Sequence, residues 1–455
     1  MSGPAVRAFR ASILHLLADP GDGEAGSALE YFEDGLLVTE DGKVARVGPA
    51  EPLLAELVGQ DVGQDAGQEG GEAADPGSAR VSVTDYRGCL LVPGFIDCHV
   101  HYPQIDMIAS YGEQLLQWLE RYTYPTERRY ADRALADRVA GDFLDLMLAH
   151  GTTSALIFPT VHAASVDALF EAALARRLRV ACGKVLMDRN CPDYLRDTAE
   201  SGYAESRELL QRWHGRERLE YAITPRFAPT SSPEQLALAG RLAGEFPEVF
   251  VHTHLAENRD EVAWVAELFP ERSSYLDVYR AAGLLRERAV FAHCLHLQDE
   301  DYSLMAEAGG VIAFCPTSNS FMGSGLFDLA RARGHGIPVG LGTDVGAGTT
   351  LSLLGTAAEA YKVLHLQDQM LSPWQALYLA TLGAARALAW DDRIGNFETG
   401  KEADFVVLDP AAGTLQRRRT AAAEDLAELV FALLMLGDER CVRATHVLAE
   451  PVRPA

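Results

Sequence analysis

"PGFIDCHVHYPQ", from Pro93 to Gln104, ends an apolar run with two histidines, His99 and His101, placed two residues apart. Side chains at positions i and i+2 of a β-strand point to the same face, so the two imidazoles converge on one point. Neutral imidazole is a common ligand of Zn²⁺. Taken alone, the pair fits a metal site and a purely structural strand end equally well, so the rest of the chain must decide.

The middle of the chain alternates short apolar runs with long amphipathic segments, as parallel βα units require. One such segment, Ala131 to His150, carries apolar residues at helical spacing. The candidate strands are Leu90 to Asp97, Thr152 to Phe158, Arg179 to Met187, Glu220 to Phe227, Val249 to His254, Ala289 to His293, Gly310 to Phe314 and Ile337 to Thr343. About eight units over roughly 250 residues predict an α/β fold, a TIM-like (β/α)₈ barrel. A doubly wound sheet is the alternative.

Both ends of the chain carry strand and turn signals instead. Gly35 to Gly48 has the pattern of a hairpin around an Asp-Gly turn, and Gly395 to Pro410 is also strand and turn in character. We therefore predict a small β-sandwich domain built from residues 1–88 and 393–455, beside a catalytic barrel of residues 89–392. Gly59 to Ser78, rich in Gly, Gln and acidic residues, is predicted to be an exposed or disordered loop.

Charge and composition restrict the partners. A net charge of −25 repels phosphate backbones, so we expect neither nucleic acid nor an anionic membrane as a partner. No run approaches the roughly 20 apolar residues of a membrane span. The seven cysteines are scattered without a C-x-x-C pair, which favours free thiols in a reducing compartment. A cytoplasmic protein acting on a small molecule fits these features.

Three further strand ends also carry residues that can bind a metal. The strings are "VHTHLAEN" (Val251 to Asn258), "FAHCLH" (Phe291 to His296) and "GLGTDVGAG" (Gly340 to Gly348). A barrel gathers its active site at the carboxyl ends of its strands. Four strands that each deliver histidine or aspartate to one rim predict a metal centre.

This arrangement resembles the amidohydrolase superfamily and, within it, the guanine deaminase family. The matching strings are "PGFIDCHVHYPQ", "LLQWLERYTYPTE" (Leu115 to Glu127), "VLMDRNCP" (Val185 to Pro192), "PRF" (Pro225 to Phe227), "HLAEN" (His254 to Asn258), "CPTSNSFMGSGLF" (Cys315 to Phe327) and "GTDVGAGT" (Gly342 to Thr349). The resemblance implies a homodimer and the hydrolytic deamination of guanine to xanthine and ammonia by a zinc-activated water. It also makes part of Leu115 to Glu127 a wall or lid of the pocket.

The resemblance implies the metal ligands His99, His101, His254 and Asp344. His252 is the alternative to His254, since "HTH" repeats the spacing of the first pair. Two-metal members of the superfamily bridge their ions with a carboxylated lysine on the fourth strand, where this chain carries Arg226. Arginine stays protonated and cannot form that carbamate. We therefore expect one Zn²⁺ per chain; a His/Asp site also accepts iron.

The resemblance assigns three residues to catalysis. Glu257 moves the proton of the attacking water to a ring nitrogen, and His293 orients the hydroxide and stabilises charge. Asp344 helps to protonate the departing amine. Without the neighbouring ligands, the better interpretation of Glu257 would be a solvated carboxylate at a helix start.

The resemblance also assigns substrate contacts. Gln104 can both donate to and accept from a purine edge, Arg226 can donate to the ring carbonyl oxygen, and Phe227 can lie against the ring. Asp188 and Asn319 are weaker candidates, since both residue types also serve turns and caps. Two alternative functions stay open: a relative that deaminates or dechlorinates another heterocycle, and a binding protein that keeps the barrel without catalysis.

Overall fold

A computed structural model describes residues 5–21, 23, 25–58, 62–64 and 81–452. The two ends of the chain meet in one eight-stranded sheet. Its strands are Val6–Leu16, Leu29–Glu40, Lys43–Pro49, Val62–Gln64, Val81–Pro93, Phe405–Leu408, Val442–Val447 and Glu450–Val452. The predicted separate sheet made from both termini is therefore confirmed as one connected sheet, while the domain bounds 1–88, 89–392 and 393–455 stay predictions.

The Asp-Gly hairpin is present as predicted. Strands Leu29–Glu40 and Lys43–Pro49 pair antiparallel, and the two turn residues Asp41 and Gly42 have φ of 50° and 78°. Asparagine, aspartate and glycine tolerate such positive angles, which match the twist of a tight hairpin. The predicted loop, Gly59 to Ser78, lies outside the described residues except for the short strand Val62–Gln64, which pairs with Val81–Pro93.

The middle of the chain forms the predicted barrel of parallel strands, each paired with the next along the chain. We number its strands β1 (Phe95–His101), β2 (Thr152–Phe158), β3 (Arg179–Cys182), β4 (Leu219–Pro225), β5 (Phe250–Leu255), β6 (Ala289–His293), β7 (Val311–Phe314) and β8 (Val339–Leu341). Strands β1, β2, β5, β6, β7 and β8 are almost wholly buried, as a sheet covered on both faces requires. The doubly wound alternative is wrong, because the order of strands never reverses.

Backbone hydrogen bonds close the barrel between its last and first strands. The amide of Asp344, just after β8, donates to the carbonyl of His99 at 2.8 Å, and the amide of His101 donates to the carbonyl of Val345 at 2.9 Å. The seam between β8 and β1 therefore runs through the candidate ligands themselves.

Two predicted strands are divided in the structure. Leu90 to Asp97 belongs partly to the terminal sheet, through Val81–Pro93, and partly to β1, with Gly94 at the junction. A Cβ on Gly94 would stand 2.2 Å from Oγ1 of Thr153, so only glycine fits this crossing. Arg179 to Met187 divides into β3 and the short strand Val185–Leu186, and each of these two strands pairs with β4.

Most of the α-helices alternate along the chain with the barrel strands, while Ala50–Val58 contacts the terminal sheet. The α-helices are Ala50–Val58, Leu115–Trp118, Tyr124–Glu127, Arg133–Ala149, Ala163–Ala175, Ala199–Trp213, Pro233–Glu245, Arg259–Leu268, Tyr275–Ala281, Asp299–Glu307, Pro316–Phe321, Leu329–Gly334, Leu353–His365, Pro373–Ala380, Leu382–Ala387, Thr414–Thr420 and Leu426–Leu436. The predicted helix Ala131 to His150 begins at Arg133, because the side chain of Asp132 accepts from the amide of Ala134. Among the described residues, no helix is both long enough and apolar enough to cross a membrane.

Candidate active site

Four predicted ligands come together at the carboxyl end of the barrel. Nε2 of His101 lies 3.2 Å from Nε2 of both His99 and His254. Oδ1 of Asp344 lies 3.2 Å from Nε2 of His99 and 3.3 Å from Nε2 of His101. Donors held about 2.0–2.1 Å from a tetrahedral zinc ion stand about 3.3 Å apart. The spacing of these atoms therefore fits a single ion at their centre.

The hydrogen bonds behind this cluster aim lone pairs at its centre. Nδ1 of His254 donates to the carbonyl of Arg226 at 2.7 Å, and Nδ1 of His99 lies 2.7 Å from Nε2 of His252. When Nδ1 carries the proton, Nε2 of a neutral imidazole is left as an acceptor. The lone pair of His254 Nε2, and that of His99 Nε2 when its Nδ1 donates to His252, therefore face the carboxylate of Asp344, an arrangement that a cation stabilises.

Burial keeps these imidazoles neutral. It lowers the pKa of His101 to about 3 and the pKa of His254 well below its ordinary value. Burial alone would raise the pKa of Asp344, but the neighbouring His99 and His101 hold it well below its usual range. Neutral imidazoles with an ionised carboxylate are the protonation states in which these side chains bind a metal.

Asp97 accepts hydrogen bonds from the backbone on both sides of the cluster. Its Oδ1 accepts from the amides of His99 at 3.1 Å and Thr343 at 3.0 Å, and its Oδ2 accepts from Oγ1 of Thr343 at 2.5 Å. Asp344 follows with φ of 49°, a left-handed conformation that aspartate adopts more readily than most residues other than glycine. Asp97 thus fixes the backbone beside a ligand on each side of the seam, a role that sequence reasoning did not assign.

His252, the alternative ligand, lies behind the cluster. Its Nε2 faces Nδ1 of His99, and His252 is absent from the group whose donor atoms converge. His252 therefore supports the ring of His99 from behind, and His254 is the residue whose donor atom faces the other three.

Glu257 lies beside the cluster, buried, at the point where the helix Arg259–Leu268 begins. Its Oε2 stands 3.4 Å from Nε2 of His293, and its Oε1 accepts from Oγ of Ser324 at 3.4 Å. Burial, reinforced by the charge of Asp344, raises the pKa of Glu257 to about 8. A carboxyl with its pKa near neutrality can both accept and return a proton.

His293 is fixed from behind by Asn319. Nδ1 of His293 lies 2.8 Å from Oδ1 of Asn319, so that nitrogen carries the proton and Nε2 faces the site. Nε2 of His293 is 3.7 Å from Oδ2 of Asp344. Asn319, predicted only as a weaker candidate, therefore contacts a predicted catalytic residue. Asp188 instead accepts from the amide and hydroxyl of Ser232 at the start of a helix.

A second group of metal-capable atoms, from His293, Cys315 and Asp344, shares one residue with the first. Burial raises the pKa of Cys315 well above that of an ordinary thiol. A thiol binds a metal as thiolate, so this group is a poor second site.

A cavity opens beside the cluster. Gln104, Arg226 and Phe227 line it together with His101, His254, Glu257 and Asp344. Its apolar wall includes Leu115, Trp118 and Leu119, from the segment predicted to be a wall or lid. The predicted substrate residues therefore lie beside the predicted ligands, around one cavity.

Sequence reasoning missed Glu127, which is fully buried behind this cavity and bonded to both Gln104 and Arg226. The predicted string "LLQWLERYTYPTE" ends on it, but no spacing rule connects it with residues so distant along the chain.

Comparison with known proteins agrees with this geometry. The chain is 52% identical over 424 residues to the guanine deaminase of Escherichia coli K12, covering 93% of this chain and 92% of the relative. A solved E. coli guanine deaminase matches with a TM-score of 0.92 at 50% identity, covering 98% of this chain and 99% of that one. A guanine deaminase from C. acetobutylicum, solved with guanine in its active site, matches with a TM-score of 0.86 at 27% identity, covering 98% and 100%.

The resemblance predicted from the strand ends is thereby confirmed. A sequence model described as "Amidohydrolase family" matches residues 90–435, which include the whole barrel and every residue of the site. The chain belongs to the amidohydrolase family.

Proposed function

We propose that this chain hydrolyses guanine to xanthine and ammonia. The observation that carries the proposal is the convergence of four metal-capable donor atoms beside Glu257, on a cavity that also presents Gln104 and Arg226. The similarity to guanine deaminases over most of both chains supports guanine as the substrate.

We further propose that one zinc ion is held by His99, His101, His254 and Asp344. When bound, such an ion supplies a water that is acidic enough to react as hydroxide near neutral pH. Arg226, which follows β4, cannot serve as the bridging carbamate of a two-metal site. Lys184, after β3, is paired with Asp197 at 2.5 Å. Both observations support a single ion.

Glu257 is the proton shuttle of the proposed reaction. It takes a proton from the attacking water and delivers it to the ring nitrogen beside the attacked carbon. His293 presents Nε2 to the same space and, with its proton on Nδ1, accepts a hydrogen bond from the attacking water and orients it. Asp344, through its second oxygen, accepts the remaining proton and returns it to the departing amine.

Gln104, Arg226 and Phe227 hold the base. The guanidinium of Arg226 donates to the carbonyl oxygen of the ring, and the amide of Gln104 pairs with an edge that both donates and accepts. Phe227 supplies an apolar face for the flat ring. Adenine carries an amino group where guanine carries this carbonyl, so the same donors disfavour it.

The test is ammonia release by metal-replete protein from guanine, adenine and cytosine. Release chiefly from guanine supports the proposal. Release from a different heterocycle, or loss of chloride from a chlorinated one, would favour the alternative enzyme. Release from none of these, by protein shown to contain metal, would favour a binding protein.

The homodimer, the cytoplasmic location and the absence of nucleic-acid or membrane partners stay predictions. All seven cysteines lie within the described ranges and are free thiols, which supports a reducing compartment. Light scattering of the purified protein would measure its oligomeric state.

A further inference from the structure

Glu127 joins the two polar side chains that we propose read the base. Its Oε1 accepts from Nε2 of Gln104 at 3.1 Å, and Nη1 of Arg226 donates to Oε1 at 3.0 Å and Oε2 at 2.8 Å. All three side chains are buried. Hydrogen bonds to a charged group are stronger than those between neutral groups, so Glu127 holds the side chains of Gln104 and Arg226 firmly in place.

The contact decides which way the amide of Gln104 faces. An ionised carboxylate only accepts hydrogen bonds, so the NH₂ group of Gln104 must face Glu127. On the opposite side, the amide of Gly346 donates to Oε1 of Gln104 at 3.2 Å. If the amide of Gln104 were flipped, its oxygen would face the carboxylate of Glu127 and its NH₂ group would face the N–H of Gly346, and both contacts would be repulsive. One N–H and one oxygen lone pair of Gln104 are thereby left in a fixed order for a ligand.

The same carboxylate fixes and neutralises Arg226. Glu127 engages only Nη1, while the guanidinium carbon lies 5.6 Å from the centre of the Tyr124 ring. The plane of the guanidinium is thus held from one edge and one face, and its other nitrogens stay available to a carbonyl oxygen. A buried cation without its counterion would be costly, and would favour an anion over a neutral base.

We propose that Glu127 is a positioning residue that sets the donor pattern of Gln104 and Arg226, and so selects a purine that carries a ring carbonyl. This inference rests on the proposed function, because the ligand it describes is guanine. Glu127 itself reaches the substrate only through these two side chains.

Glu127→Gln tests the proposal, since it keeps the shape of the side chain and removes its charge. Its amide must offer NH₂ to at least one donor that the carboxylate satisfied. The readout is the inhibition constant of two competitors of guanine turnover: hypoxanthine, which keeps the carbonyl, and purine, which lacks it. We expect hypoxanthine binding to weaken about tenfold to a hundredfold, and purine binding to change about twofold or less.

A matched control is Glu220→Gln. Glu220 lies on β4 at the end opposite Arg226, where its carboxylate accepts from Trp390 and pairs with Arg288. The Glu220→Gln variant loses a carboxylate–arginine pair away from the cavity. The ratio of the inhibition constant of purine to that of hypoxanthine should therefore stay at the wild-type value. Glu127→Asp, which keeps the charge, should recover part of the ratio that Glu127→Gln loses.

The outcomes separate the two proposals. Wild-type protein that releases no ammonia from guanine overturns both. Active wild-type protein with an unchanged ratio in Glu127→Gln overturns only the positioning role, and so does equal weakening of both competitors, which indicates general damage. A ratio that falls equally in Glu220→Gln also overturns it. If Glu127→Gln does not fold, a wild-type ratio in Glu127→Asp despite its shorter side chain refutes the proposal, and a reduced ratio supports it.

Discussion

Replacing Asp97 tests how the backbone around the proposed metal ligands is held. Asp97 is 1% exposed and accepts three hydrogen bonds, from the amides of His99 and Thr343 and the hydroxyl of Thr343. Asp97→Ala leaves these donors without an acceptor in a buried place. Each unsatisfied buried donor costs about 1–3 kcal/mol, so the free energy of unfolding should fall by at least about 3 kcal/mol.

Asp97→Asn is the matched variant. Its carbonyl oxygen can keep both amide bonds of Oδ1, and the hydroxyl of Thr343 can rotate to accept from the new NH₂ group. We therefore expect a loss of about 1 kcal/mol or less. The pair separates hydrogen-bond acceptance, which Asn retains, from the negative charge, which both variants remove.

The assay is urea unfolding of metal-depleted protein, followed by tryptophan fluorescence, with metal content measured on separate metal-replete samples. Asp97→Ala should also retain less metal, because the amides beside His99 and Asp344 lose their common anchor. Equal losses of stability in the two variants would refute the reasoning, since charge would then matter and hydrogen bonding would not. A loss below about 1 kcal/mol in Asp97→Ala would refute it as well.

Glu257→Gln should keep its metal by elemental analysis yet lose about a hundredfold or more in kcat, because an amide cannot carry the proton; an active variant contradicts the shuttle. Burial lowers the pKa of His446 to about 4, below the value of about 6.5 expected in the unfolded chain, so stability is lost as the pH falls through this window. Between pH 7 and about 4.5, unfolding free energy from urea titration should fall about 2 kcal/mol more in wild type than in His446→Gln, and parallel curves would contradict this. Gly94→Ala, whose methyl group would stand 2.2 Å from Thr153, should lower the melting temperature, whereas Gly244→Ala, with open space around it, should not; equal shifts would contradict the steric account.

The barrel could be predicted because its sequence pattern is local. Strands β2 and β6 match their predicted bounds, since each contains a short apolar run, Ala155 to Phe158 and Ala289 to Ala292. The convergence of the ligands could also be predicted, because parallel strands bring their carboxyl ends to one rim. His99, His254 and Asp344 meet there despite their separation along the chain.

The features that could not be predicted depend on contacts between distant segments. The junction at Gly94 is hidden inside an apolar run, because the strands on both sides of it are buried. Glu127 lies in a segment without clear periodicity, and its partners Gln104 and Arg226 are 23 and 99 residues away. Asp97 bonds to Thr343 across 246 residues. A side chain that acts by holding another leaves no spacing signature of its own.

The seam of the barrel would give a bound metal ion a mechanical part in the fold. His99 and His101 lie on the first strand and Asp344 follows the last, so an ion bound to all three would cross-link β1 and β8. An ion that binds only the closed barrel stabilises it by about 4 kcal/mol when present at about a thousand times its dissociation constant. Removing the ion should therefore speed hydrogen exchange first at the amides of His101 and Asp344, which bridge β8 and β1.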